Sequence, residues 1–227
     1  MSLAAGLKAW PRPESFQGLR CSLDFARNDI SRSEMFATIY LPNFYLQAAI
    51  RHQPELYAKP VALIEEHDRK PLVIQLNDAA EKAGIRKGMT PSQALARSLQ
   101  VHITVRAFMQ EKTIQQILLH YAFTLSPFVE DTAPGICTVQ FTRSNRHPAD
   151  NLLAGSQYHD SVSRVIEELA KCEIRAQAAV ASTPDSSVLA AHLARPILEI
   201  ENAKEFLSRL PIETLAVIAK QSWLPVV

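Results

Sequence analysis

The sequence predicts an α+β domain of βαββαβ plan with a small α/β block inserted after its first strand. Three observations predict it. Strand-like runs at 37–41, 128–131, 135–142 and 174–182 are short and rich in apolar or β-branched residues. Two long amphipathic stripes fall between them, one ahead of the central pair of strands and one behind it. The order is therefore strand, insert, helix, strand, strand, helix, strand, the split-βαβ arrangement with a largely antiparallel sheet and helices on one face.

Taken in order, residues 1–34 are polar and aperiodic, as in PRPESFQG and ARNDISRSE, and read as a flexible extension. Met35 stands directly before the first convincing strand and is a candidate start of translation. That strand opens the stretch ATIYLPNFYLQAAI (37–50). Pro42 and Asn43 break it, and Phe44-Tyr45 open a helix. PVALIEE (60–66) and KPLVIQL (70–76) flank the polar turn HDR and form a hairpin. In NDAAEKAG, Asn77 or Asp78 can cap a helix, and Gly84 can supply its left-handed end. Thr90 caps the next helix, with Pro91 at the first helical position. VHITVRAF (101–108) alternates as a strand. Ile114, Ile117, Leu118, Tyr121, Ala122 and Leu125 form one stripe of a long helix. FVED and GICTVQFT follow around a Pro134-Gly135 corner. Val162, Val165, Ile166 and Leu169 mark the second long helix, IRAQAAVAS is a small-residue strand, and TPDSSVLAAHLA is a capped helix.

Composition narrows function. Of 227 residues, 47% are hydrophobic, enough to build a sizeable core. With 24 basic and 23 acidic residues the net charge is +1, which argues against gripping nucleic acid by charge alone. Cys21, Cys137 and Cys172 are scattered and odd in number, so neither a disulfide framework nor a zinc knuckle is indicated. No apolar run approaches the ~18 residues of a membrane span. A reducing cytoplasm is the expectation, with no membrane contact. No GxGxxG, GxxxxGK[ST], HExxH or GxSxG occurs, and the seven histidines lack ligand spacing. Glu65-Glu66-His67-Asp68 reads as a solvated turn rather than a metal site. No metal or other cofactor is expected.

Several motifs then carry a resemblance. IRHQPELYAKPVALIE and NDAAEKAGIRKGMTPSQALARSL keep Pro54-Glu55-Leu56, Lys59-Pro60-Val61-Ala62, Gly84, Gly88-Met89 and Ala94; SPFVED (126–131) and LARP (193–196) follow. In this wording and order the chain resembles the Y-family translesion DNA polymerases over about residues 36–209. The resemblance implies a ferredoxin-like palm at 35–44 and 107–209, fingers at 45–106, and the start of a truncated thumb at 210–227.

That family's chemistry uses two Mg²⁺ ions ~3.5–4 Å apart, held by carboxylates. By the resemblance, the first carboxylate pair falls on Tyr40 and Pro42 and the second on Gly135 and Ile136, none of which can hold a hard cation through its side chain. The family's triphosphate-binding Tyr and Arg fall on Asp78 and Glu81, and its later phosphate-binding Lys on Val188. Glutamate in place of Arg turns attraction for phosphate into repulsion, about 4 kcal/mol per close unit pair at an effective dielectric of ~20. The aromatic that screens the sugar is retained as Tyr45, beside Phe44.

The pattern is thus similar to the ImuB-type proteins, an inactive branch. What that implies is a docking scaffold in DNA damage tolerance and induced mutagenesis, without catalysis. The partners implied are an error-prone replicative-type polymerase, a RecA-like accessory protein and the sliding clamp, with DNA held weakly or through them. Tyr40, Phe44, Tyr45 and Ile136 are then packing or partner-binding residues. QSWLP (221–225) faintly resembles a clamp-binding peptide. Two alternatives stay open: an active nucleotidyltransferase with displaced ligands among Glu130, Asp131 and Asp78, and an interaction domain with no link to DNA repair.

Overall fold

The computed structural model describes residues 34–65, 70–141, 154–212 and 214. The extension before residue 34, the turn at 66–69 with its acidic cluster, His147, Cys21 and the segment 221–225 lie outside the described residues.

The main sheet has the order β5-β6-β1-β7-β8, from β1 (Met35–Tyr40), β5 (Val129–Ala133), β6 (Ile136–Phe141), β7 (Gln177–Ala181) and β8 (Ile197–Glu199). β1 lies antiparallel to both β6 and β7 at its centre, and β5 is antiparallel to β6. β8 adds a parallel strand beside β7, an element the sequence reading does not contain. α4 (Phe108–Phe123) and α5 (Ala154–Lys171) cross one face. Their buried apolar residues belong to the two sequence stripes: Ile114, Leu118 and Ala122 from α4, and Val162, Val165 and Leu169 from α5. They meet Ala37, Ile39, Leu41, Cys137, Val139, Phe141, Ala178 and Val180, the alternate residues of β1, β6 and β7.

The expectation of helices on one face needs correction. α6 (Pro184–Ala191) covers the opposite face, where Ala190 and Ala191 pack on Ala179 and Ala181, joined by Ile200 and, from α7 (Ala203–Arg209), Phe206. The physical reason is the composition of β7: QAAVA has small residues on both faces, so a second layer can approach closely. The capping expected at Thr183 is present, its hydroxyl accepting from the Ser186 amide.

Between β1 and α4 the chain builds a separate three-stranded sheet of order β3-β2-β4, from β2 (Val61–Glu65), β3 (Leu72–Leu76) and β4 (His102–Val105). β2 and β3 form the expected antiparallel pair, whereas β4 is shorter than its alternation suggests and runs parallel to β2. α2 (Asp78–Lys82) is capped by Asn77, which accepts from the Ala80 amide, and α3 (Pro91–Arg97) by a reciprocal Thr90–Gln93 capping box. α1 (Phe44–Ile50) packs on both bodies. Phe44 and Ala48 enter the main core, while Leu46 and Ile50 join Leu56, Val61 and Leu63 under the small sheet. Among the described residues, no helix is long and apolar enough to cross a membrane.

Candidate functional site

The junction of β1 with the β5–β6 hairpin brings together the positions singled out in the sequence. Tyr40 is in register with Ile136, and the Leu41 amide donates to the Gly135 carbonyl at 2.8 Å. β1 ends there because Pro42 has no amide to continue the ladder and Asn43 turns left-handed at φ 49°. The Asn43 amide group donates to the Leu76 carbonyl at 3.4 Å. Buried Gln47 fastens the turn: its Nε2 donates to the carbonyls of Pro42 (2.6 Å) and Arg175 (2.9 Å), and its Oε1 accepts from the Arg175 amide (2.8 Å).

Across from this turn, Pro134-Gly135 closes the hairpin, with Gly135 at φ +77°. A Cβ built on Gly135 would lie 2.7–2.9 Å from Cβ, Cγ and Cδ2 of Phe44. The buried Phe44 ring thus fills the space that any side chain at 135 would enter. On its other side the Gly135 amide donates to Gln115 Oε1 at 2.8 Å, and Gln115 Nε2 donates to Asp131 Oδ1 at 2.6 Å.

Beside Tyr40 stands the His192 ring, 4.1 Å between centroids and tilted 46°. Among the described residues, both ring nitrogens of His192 are buried without a hydrogen-bond partner, and burial pushes its pKa down. Burial likewise pushes the Tyr40 phenol up. Two residue pairs further along, at Thr38 and Thr138, hydroxyls fill the same face. Thr132 meets Thr138 at 2.9 Å, Thr138 meets Thr38 at 3.2 Å, and Thr38 meets Ser187 at 2.7 Å. Ser187 donates its proton to the Pro184 carbonyl at 2.7 Å. Each hydroxyl owns one proton, so this last bond orders the chain: Thr38 donates to Ser187 and Thr138 to Thr38, which leaves Thr132 as the donor to Thr138 at 2.9 Å, with the Glu130 carbonyl a more distant acceptor for the same proton at 3.5 Å.

The acids nearest the hairpin do not converge. Glu130 pairs with Thr138 and Asp131 with Cys137, so the two side chains leave opposite faces of β5. Asp78 and Glu81 stand exposed on α2, Glu81 4.0 Å from Arg86, and Val188 is half-buried on α6. Among the described residues, no group of three or more His, Cys, Asp or Glu side chains is placed to hold a metal ion.

Tyr45, half-buried, carries the Arg106 guanidinium 4.2 Å from its ring centroid. Arg106 also pairs with Glu65 at 2.7 Å and Glu111 at 2.8 Å. A ligand stacking on that face of Tyr45 must first displace an ion-paired cation. Nothing in the sequence pattern marks Arg106, His192, Gln115 or the hydroxyl chain. Their partners lie on other elements, up to 149 residues away for Thr38 and Ser187.

The fold is shared with solved DNA polymerases. An insertion ternary complex of Dbh DNA polymerase superposes with a TM-score of 0.66 at 15% identity, over 79% of this chain and 53% of that one. DinB from Sulfolobus solfataricus gives 0.66 at 14%, over 79% and 52%. A Y-family polymerase chimera, Dbh-Dpo4(243-245)-Dbh, gives 0.63 at 15%, over 79% and 53%. This chain therefore spans about half the length of the polymerases it matches, and at such identity the likeness establishes the palm-like α+β fold. No curated protein sequence matches it significantly. The family model for impB/mucB/samB matches residues 39–192, from β1 to the His192 beside it, and with more than half of its 227 residues inside that match the chain belongs to the impB/mucB/samB family.

Proposed function

We propose that this chain is a non-catalytic, Y-family polymerase-like accessory protein of the ImuB type, acting in DNA damage tolerance and induced mutagenesis as a docking scaffold for an error-prone polymerase. The observation that carries this reading is the contact of Phe44 with Gly135. A hairpin whose tip has no room for a Cβ cannot offer a carboxylate to a metal there, and its neighbours Tyr40, Pro42 and Ile136 supply no hard-cation ligand. The buried Phe44 and Ile136, and Tyr40 against His192, act as packing residues in the space between β1 and the hairpin. Asp78 and Glu81 repel the triphosphate that the family's residues at these positions attract. The error-prone polymerase, a RecA-like protein and the sliding clamp are the proposed partners, with DNA contacted weakly or through them.

Primer extension by the purified chain, with Mg²⁺ or Mn²⁺ and DinB as positive control, tests the absence of catalysis. The expected result is no nucleotide addition; addition that is lost in Asp131→Ala contradicts the proposal. Affinity capture after DNA damage tests the docking role. It should recover a replicative-type polymerase together with a RecA-like protein, and recovery of neither removes the basis for a scaffold.

A further inference from the structure

Arg106 sits at the end of the inserted α/β unit, where the chain passes from β4 into α4. Its backbone amide still belongs to the small sheet, donating to the Ile64 carbonyl at 3.3 Å. Its side chain joins both bodies. Nη1 donates to Glu65 of β2 at 2.7 Å, while Nε and Nη2 grip the two oxygens of Glu111 on α4 at 3.0 and 2.8 Å. The guanidinium lies against two rings, 4.2 Å from the centroid of Tyr45 of α1 and 4.6 Å from that of Phe108 of α4. Arg106 at 18% exposure and Glu111 at 9% are largely withdrawn from water, while Glu65 is 34% exposed, so water does not readily substitute in the Arg106–Glu111 pair.

The inserted unit meets the main body elsewhere as well. α1 packs under the small sheet through Leu46 and Ile50, and the Leu46 amide donates to Gln75 Oε1 at 2.9 Å. Asn43 donates to the Leu76 carbonyl at 3.4 Å, Arg51 to the Cys172 carbonyl at 2.9 Å, and the Arg175 guanidinium lies 4.6 Å from the Tyr57 ring centroid. Those contacts are single hydrogen bonds, a ring contact and apolar packing, whereas Arg106 carries an ion pair to each body and so holds their relative orientation more tightly. We infer that Arg106 is a positioning residue that locks the inserted unit onto the core, with Glu65 and Glu111 as its two anchors acting in series. This inference is independent of whether the chain catalyses anything. Only a planar fork reaches both carboxylates at once, so lysine does not substitute.

Pulsed electron resonance between nitroxides tests it. The labels go on Ala96→Cys of α3 and Ala170→Cys of α5, both exposed, in a chain with Cys21 and Cys172 replaced by serine. The parent should give one narrow distance. Glu65→Gln and Glu111→Gln should each broaden the distribution at least twofold, the double variant no more than the broader single, and Arg106→Lys should broaden it too. Thermal unfolding run alongside separates positioning from bulk stability. Unchanged widths with a lowered unfolding midpoint, or widths that add in the double variant, would overturn the inference.

Discussion

Gly135 carries two constraints at once. Its φ of +77° is costly for an L side chain, and the space a Cβ would take belongs to Phe44. Gly135→Ala should therefore destabilise the fold by about 2–4 kcal/mol, combining left-handed strain with overpacking. Urea unfolding reads this directly, and Phe44→Leu in the same chain should give a combined loss smaller than the sum of the two single losses. His192 carries a different constraint. Burial holds its pKa below the ordinary 6.5, so the unfolded chain takes up the proton more readily than the folded one. Its effect on stability is flat above about pH 6.5. As pH falls through that value stability declines, until the folded-state pKa is passed. His192→Phe should flatten this part of the acid limb, which unfolding midpoints measured from pH 7 down to pH 4 would reveal; an unchanged slope would contradict the assignment. Cys137, buried against α4, has its thiol pushed up to about 12 by desolvation. At pH 8 iodoacetamide should modify the half-exposed Cys172 well before Cys137, as mass mapping of the native protein would show.

At the scale of elements, the β1–β6–α6 layer depends on its ordered hydroxyls. Thr38 is fully buried and is both the donor to Ser187 and the acceptor from Thr138. Thr38→Val keeps the shape but leaves both neighbours short of a partner, a loss of about 1–3 kcal/mol. Thr132→Val, at the exposed end of the chain, should change stability by no more than about 0.5 kcal/mol; equal losses at the two positions in chemical denaturation would refute the ordering. The elements legible in the sequence are those whose causes are local. Asn77 and Thr90 cap because their side chains meet amides within the next turn, and Pro134-Gly135 turns because of its own backbone preferences. The α4 stripe shows because helical spacing puts Ile114, Leu118 and Ala122 on one side. Elements whose placement depends on distant partners were not legible. β8 is three residues long and is ordered by β7, and α6 takes the second face because β7 is small on both. At the candidate site, the meeting of Tyr40 with the Gly135-Ile136 turn followed from aligned motifs. The plug of Phe44, the His192 ring and the Arg106 tie did not, because each is a contact between elements far apart or packed at an angle no spacing rule encodes.

For the whole molecule, the family match from 39 to 192 covers the small sheet and the main sheet from the end of β1 through β7, leaving out β8, so the shared architecture is more than one motif. The solved polymerases that share its fold are about twice as long as the part this chain matches. The proposed scaffold function rests on what stands beside the β5–β6 hairpin: Tyr40, Pro42, Gly135 and Ile136 where the resemblance expects carboxylates, Phe44 in the space at Gly135, and acids on β5 that point to opposite faces. A Mn²⁺ titration of the purified chain followed by electron paramagnetic resonance tests this most directly. The expected result is a free-Mn²⁺ signal that tracks added metal with no saturable loss. A saturable pair of Mn²⁺ ions, coupled to one another and abolished by Asp131→Ala, would contradict it.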